Sequence, residues 1–327
     1  MPNPTEEDIS NWLIENPQRL NLANIGLFFG GDNVTENQLV EKSQDLDLWA
    51  GTIQSTFRYK GSEVSVEVWC HPTLPTVGIQ IKSDLLESRD LGVFFDFPYS
   101  DTNKFDAPYV GVWNDTSHNI VKLRSTAGMA SFEHIIDSNS NEIMAKWNTE
   151  ASVSGPLPGS NKFVLSSSGS DTLQLVVAFD TANSQYKLPS YDNIVAASKE
   201  WWADYWVSGA FIDLSATENA NATELQRRII LSQYLVAVNE ASHNPPQGSC
   251  QVPLVSGPLD VNFILKSQVL GPHSCAAYIL AVPLTELHIG LVNNGWYGKF
   301  HVSFVHVGHK ERLGSDPSSA RESWTFN

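Results

Sequence analysis

The stretch Gly290-Leu-Val-Asn-Asn-Gly-Trp-Tyr-Gly-Lys-Phe-His301 concentrates glycines, aromatics and hydrogen-bonding side chains of the types used in sugar sites. Its glycines permit tight turns, and Trp296 and Tyr297 offer flat apolar faces to a sugar ring. Asn294, Lys299 and His301 add side chains able to bond hydroxyls. These five residues are the candidate substrate-binding set. The competing reading for the aromatic pair is core packing.

Other reactive side chains have structural readings. Cys70, Cys250 and Cys275 are an odd count without CxxC spacing, so no zinc site or disulfide framework is indicated, and buried free thiols are expected. No metal site and no cofactor motif is read from the chain. With 36 acidic against 20 basic residues the net charge is −16, which repels a phosphate backbone and anionic lipid alike. Nucleic acid and membrane are therefore not expected partners. The longest apolar stretch, near Ala276–Leu284, falls far short of the roughly 20 residues of a membrane span.

Met1–Ser10 is acidic and polar, so no secretory signal is visible. Sequons at Asn33-Val-Thr, Asn114-Asp-Thr and Asn221-Ala-Thr are no more numerous than composition predicts and do not decide a compartment. No motif indicates the oligomeric state.

The elements that must carry these residues follow from periodicity. At 327 residues and 42% apolar content the chain can bury a sizeable core. Apolar residues alternate through Ile53–Tyr59, Val64–Val68, Val77–Ile81 and Leu91–Phe97, with turn chemistry at Gly61-Ser62, His71-Pro72-Thr73 and Ser88-Arg89-Asp90. The same signature returns at Asn119–Leu123, Ile143–Trp147, Lys162–Leu165 and Leu173–Phe179. Many short strands at this spacing predict one antiparallel β-sandwich over about residues 18–185.

The period then changes from 2.0 to 3.6 residues. Ser190 is placed to cap a helix over 191–207, with Ile194, Ser198, Trp201 and Tyr205 on the face expected to be buried and Trp202 and Trp206 alongside. Asn221-Ala-Thr-Glu224 has the capping-box pattern, which predicts a second helix over 221–241 that ends before Pro245-Pro246. Between Gly248 and Ile289 only Asp260, Lys266 and Glu286 are charged and no period is sustained, so this segment is expected to lack a packed core of its own.

Several stretches resemble one family, the six-hairpin glycosidases that include acid trehalase-like enzymes and the maltose and kojibiose phosphorylases. They are Gln44-Asp-Leu-Asp-Leu-Trp49 with Cys70-His-Pro72, Trp201-Trp-Ala-Asp-Tyr-Trp-Val-Ser-Gly-Ala-Phe-Ile-Asp-Leu214, Glu224-Leu-Gln-Arg-Arg-Ile-Ile-Leu-Ser-Gln-Tyr234 with Pro245-Pro-Gln247, and Gly290–His301. The likeness covers about residues 12–247 and 290–301. It implies a mainly β N-terminal supersandwich, then an α-helical linker, then the start of an incomplete α/α six-barrel whose inner loops hold the sugar. The corresponding boundaries are 1–188 for the sandwich, 189–217 for the linker and 218–327 for the barrel fragment.

The family runs its Pro-Pro-Gln stretch almost directly into its Gly-Leu stretch. Residues 248–289 therefore read as an anomalous insertion, a retained intron or mistranslated stretch. The opening reads as short, because Trp12–Gly26 resembles the middle of a family sandwich. After His301 the family continues into further barrel helices.

The implied activity is that of a glycoside hydrolase, or a related phosphorylase, acting on oligosaccharides. Such chemistry needs an acid to protonate the leaving oxygen and a second group about 5–9.5 Å away. The resemblance puts the acid later in the barrel, so the catalytic residue stays unassigned. Asp204 reads as a solvated helix charge, Asp213 as a linker residue, Glu224 as a capping partner, Glu240 as a helix-end charge and Glu286 as a chance acid in the insertion. Arg227 and Arg228 read as solvated helix charges or as partners of carboxylates.

Two other classes compete. One is a non-catalytic carbohydrate-binding or scaffold sandwich. The other, a mutarotase-like sandwich epimerase, requires a histidine and carboxylate pair from among His71, His118, His134, Glu67 and Glu133.

Overall fold

The computed structural model describes residues 19–99, 112–136, 139–181, 187–210, 212–240, 288–294, 297–303 and 321–325. The strands are β1 (Arg19–Asn21), β2 (Asn24–Phe28), β3 (Val40–Asp47), β4 (Thr52–Tyr59), β5 (Ser62–Cys70), β6 (Thr76–Lys82), β7 (Gly92–Asp96), β8 (Asn119–Thr126), β9 (Met129–Ile136), β10 (Asn139–Trp147), β11 (Ala151–Ser154), β12 (Lys162–Ser167), β13 (Thr172–Thr181), β14 (His288–Asn294), β15 (Tyr297–Ser303) and β16 (Arg321–Thr325). Two helices, α1 (Tyr191–Tyr205) and α2 (Ala222–Glu240), follow β13.

A nine-stranded sheet runs β16-β3-β4-β5-β6-β13-β10-β9-β8, and a four-stranded sheet runs β11-β12-β7-β2. Ladders in both are antiparallel. The core is the space between them. Phe132 of β9 meets Phe95 of β7 at 4.9 Å and Phe163 of β12 at 5.4 Å between ring centroids, and all three are buried. Alternation puts them there: Ile53, Phe57, Val64, Val66, Val68, Ile79 and Ile81 are inward positions of β4–β6. The β4–β5 turn is a two-residue hairpin in which Lys60 and Gly61 both have positive φ, 50° and 85°. That matches the twist of the flanking strands.

The large sheet is covered on part of its outer face too. Trp69, Val176 and Ala178 point away from the inter-sheet core and pack with Leu188, Tyr191 and Ile194 of the α1 segment. Consecutive apolar residues such as Val68-Trp69 and Val176-Val177-Ala178-Phe179 are the sequence mark of strands buried on both faces. Gly78 of β6 makes the close approach possible, because a Cβ there would lie 3.2 Å from Tyr191 and 3.3 Å from Ile194.

Helix α1 begins as expected, with the Ser190 hydroxyl accepting from the Asn193 N–H at 3.2 Å. It passes at Trp206–Ala210 into a π-helical turn. Tyr205 is buried, but Trp201 is only partly so. The deep aromatic is Trp202, which the sequence reading set beside the packing face rather than on it. The reason is local. Gly51 lies directly beneath the Trp202 indole, and the Trp206 Nε1 donates to the Leu48 carbonyl at 2.8 Å, so the β3–β4 turn receives the residues one position further on.

Helix α2 buries Ile230, Tyr234, Ala237 and Val238. Tyr234 stacks on Trp202 at 5.0 Å, and the Tyr205 hydroxyl donates to the Gln233 carbonyl at 3.2 Å. The capping box does not form. The Asn221 N–H is bonded by Asn219 Oδ1 at 2.9 Å, while Glu224 turns to Arg227 and Arg228 at 2.9 and 2.5 Å. Two guanidinium partners outcompete a single backbone donor.

Little of the chain after α2 lies among the described residues. Among the described residues of 218–327, α2 is the one helix, and His288–Asn294, Tyr297–Ser303 and Arg321–Thr325 are strands. Strands β14 and β15 form an antiparallel hairpin that joins β1 in a three-stranded sheet, and β16 pairs with β3. In that hairpin Asn294 stands opposite Tyr297. Apart from His288 and Ile289, the 248–289 insertion lies outside the described residues.

The free-thiol expectation fails at Cys70, which is disulfide-bonded. Cys250 and Cys275 lie outside the described residues. An odd count hides one bridge and a leftover thiol as readily as three free thiols.

Candidate functional site

Hairpin β14–β15 positions four of the five candidate sugar residues. Tyr297, Lys299 and His301 occupy alternate places along β15, and Asn294 of β14 is the cross-strand partner of Tyr297. With a period of two, these four positions fall on one face of the hairpin. Gly290 stands opposite His301 and Val292 opposite Lys299, so the same face has a residue without a side chain at one end. Arg19 of β1 is the other neighbour of Asn294 in the ladder. Trp296 lies outside the described residues.

Among the described residues, none of the acids weighed from the sequence is positioned as a glycosidic acid pair. Asp204 is exposed on α1. Asp213 accepts from the Ser215 N–H at 2.8 Å, and this hydrogen bonding holds its carboxyl below the usual range. Glu224 is held down at about 2 by its hydrogen bonds to Arg227 first and Arg228 second. A carboxyl held ionised in this way is a poor proton donor at neutral pH. Glu286 lies outside the described residues, as does the side chain of Glu240.

Neither His71 nor His134 is paired with a carboxylate as an epimerase needs. His71 Nδ1 accepts from the N–H groups of Thr73 and Leu74 at 3.2 and 3.1 Å, and burial lowers its basicity. That makes it the cap of the β5–β6 turn. His134 is fully buried against Asn119 at 2.6 Å, Glu133 faces Lys122, and Glu67 accepts from the Tyr191 hydroxyl at 2.9 Å.

Asp115, Ser117 and His118 make a grouping that the sequence reading did not consider. Ser117 Oγ lies 2.9 Å from Asp115 Oδ1, and His118 Nδ1 lies 3.1 Å from both Asp115 Oδ2 and Ser117 Oγ. The residue types are those of a nucleophilic triad, but the wiring is not. A relay needs the carboxylate on one ring nitrogen and the hydroxyl on the other. Here both meet Nδ1, and Asp115 also accepts from the backbone of Ser117 and His118, which is an Asx turn leading into β8. These bonds hold the Asp115 carboxyl far below the usual range.

No group of three or more potential metal ligands occurs among the described residues, and no helix there is long and apolar enough to cross a membrane.

No family model matches this chain, and no curated protein matches it. Among solved structures, a bacterial glucoamylase complexed with acarbose matches with a TM-score of 0.42 and 11% sequence identity, over 68% of this chain and 35% of that one. The chain thus spans about a third of the length of that enzyme.

Proposed function

We propose that the chain is part of a carbohydrate-active enzyme of the glycoside hydrolase class, and that Asn294, Trp296, Tyr297, Lys299 and His301 form its sugar subsite. The observation that carries the reading is the register of the β14–β15 hairpin, which gathers Asn294, Tyr297, Lys299 and His301 on one face. An aromatic, an amide, an ammonium and an imidazole are residue types suited to a pyranose and its hydroxyls. The sequence likeness to six-hairpin glycosidases supports the class, and the order of antiparallel sandwich followed by helices agrees with it.

A second reading, a carbohydrate-binding sandwich without turnover, is favoured by one observation. Of the acids weighed from the sequence, Asp204 is exposed, Asp213 is engaged in a turn and Glu224 in ion pairs.

One experiment separates the two. The full chain is titrated with trehalose, kojibiose, maltose and aryl glycosides by calorimetry, and the same mixtures are assayed for sugar release with and without phosphate. Binding weakened at least ten-fold by Tyr297→Ala and by His301→Ala supports the subsite. Turnover in addition selects the enzyme, and binding alone selects the second reading. Absence of binding to all of them at millimolar concentration, with both variants indistinguishable from the parent, rejects both.

A further inference from the structure

The three sequons acquire a meaning in the fold that their number alone does not carry. Asn33 follows β2, Asn114 sits in the turn ahead of β8, and Asn221 immediately precedes α2. All three asparagines are exposed, none lies in a strand or helix, and Thr35, Thr116 and Thr223 of the same triplets are exposed as well. None of the three side-chain amides has a hydrogen-bond partner among the described residues.

Several asparagines outside sequons are instead engaged in hydrogen bonds. Asn119 donates to the Phe97 carbonyl at 2.6 Å, Asn161 to the Asn119 carbonyl at 3.0 Å and Asn148 to Gln174 at 3.2 Å. Asn24, Asn119, Asn141 and Asn161 are buried, and no sequon includes any of them. Asn221 is the telling case. Its sequence context assigns it to capping α2, yet Asn219 and the Glu224–arginine pairs take over the polar work there, and its amide stays free.

An independent observation concerns redox state. Cys70 is disulfide-bonded. Structural disulfides persist in oxidising compartments, and the secretory lumen is also where asparagine-linked glycans are added.

We propose that Asn33, Asn114 and Asn221 are acceptor sites for asparagine-linked oligosaccharide. The donor is a lipid-pyrophosphate-linked oligosaccharide. The side-chain amide nitrogen forms a bond to C1 of the first sugar, and the bond from C1 to the pyrophosphate oxygen breaks. The lipid pyrophosphate leaves with the electron pair, and the amide gives up one proton. Nothing is oxidised or reduced. At each site the glycan extends into solvent from a loop or helix start, where no ladder hydrogen bond is lost.

The full chain is produced in a eukaryotic cell behind an added export leader, and the pool carrying the leader-processed chain is digested with a glycan-releasing amidase. Peptide mass spectrometry should find aspartate in place of asparagine at positions 33, 114 and 221, and gels should show three mass steps on partial digestion. Thr35→Ala, Thr116→Ala and Thr223→Ala, which keep each asparagine, should each remove one step. Unmodified asparagine at all three positions in chain whose Cys70 is oxidised overturns the proposal, and any single site found unmodified is struck from it.

Discussion

At the scale of single residues, His134 is a titratable group buried inside the sandwich. Its Nε2 lies 2.6 Å from Asn119 Oδ1, and the Asn119 Nδ2 donates to the Phe97 carbonyl at 2.6 Å. Because that second bond fixes the amide orientation, Oδ1 must accept and Nε2 must carry the ring proton. Burial is the main cause that pushes the imidazole down to about 4, partly offset by the backbone of Leu22 and Pro98. In the unfolded chain the ring titrates at about 6.5. Above that pH neither state holds the extra proton and the full stability is present.

As pH falls from 6.5 towards 4, the unfolded chain takes up a proton that the folded one refuses, so stability drops through that window by about 3 kcal/mol and then levels off. Urea midpoints measured between pH 7.5 and 4 should show this loss. A His134→Gln variant, less stable at pH 7.5, should lose about that much less than the parent over the same range. Parallel pH curves for the two proteins would refute it.

The elements depend on a few close approaches. At Gly51, φ is +67° and a Cβ would lie 1.8 Å from the Trp202 Nε1. Gly51→Ala must therefore displace the ring that Tyr234 stacks on, loosening α1 and α2 together. The expected cost is about 3 kcal/mol or more, from strain and lost packing combined. Gly61 separates the two contributions, because its φ is +85° but nothing lies within 4 Å of the added carbon. Gly61→Ala should cost only about 1–2 kcal/mol, the backbone penalty alone. Equal losses for the two variants in chemical denaturation would mean that the Trp202 contact is unimportant. At the other end of α1, Ser190→Ala removes the hydroxyl that accepts from Asn193, and should cost about 1 kcal/mol without changing the denaturant slope.

The described residues build a sandwich with one outer face partly covered by helix and one strand end tied by a disulfide. Trp69, Val176 and Ala178 are buried only because α1 docks on them, so the sheet and the helix form one cooperative unit. Near-ultraviolet dichroism of the tryptophans and far-ultraviolet dichroism of the backbone should give coincident unfolding transitions. Of the three cysteines, two are consumed by one bridge that includes Cys70. The oxidised chain in denaturant should therefore react with thiol reagent once, and three times after reduction. Three equivalents without reductant would show that the bridge does not form.

Alternation at Ile53–Tyr59, Val64–Val68 and Leu173–Phe179 made the antiparallel sandwich legible in the chain, because side-chain direction in a strand is set by position alone. Ser190 ahead of an apolar stripe of helical period marked α1 for a similar reason, since a cap needs only its own three or four neighbours. Among the candidate sugar residues, the types were readable but not their arrangement, since the face shared by Asn294, Tyr297, Lys299 and His301 depends on a cross-strand register.

What required the tertiary structure was every choice between partners distant in sequence. Trp202 rather than Trp201 lies over Gly51, some 150 residues earlier, because the β3–β4 turn meets the helix there. Glu224 had both a capping role and an ion-pair role open to it, and the geometry of Arg227 and Arg228 decided it. Cys70 illustrates the limit most simply: a thiol's neighbours in sequence do not reveal which other sulfur the fold brings within bonding distance.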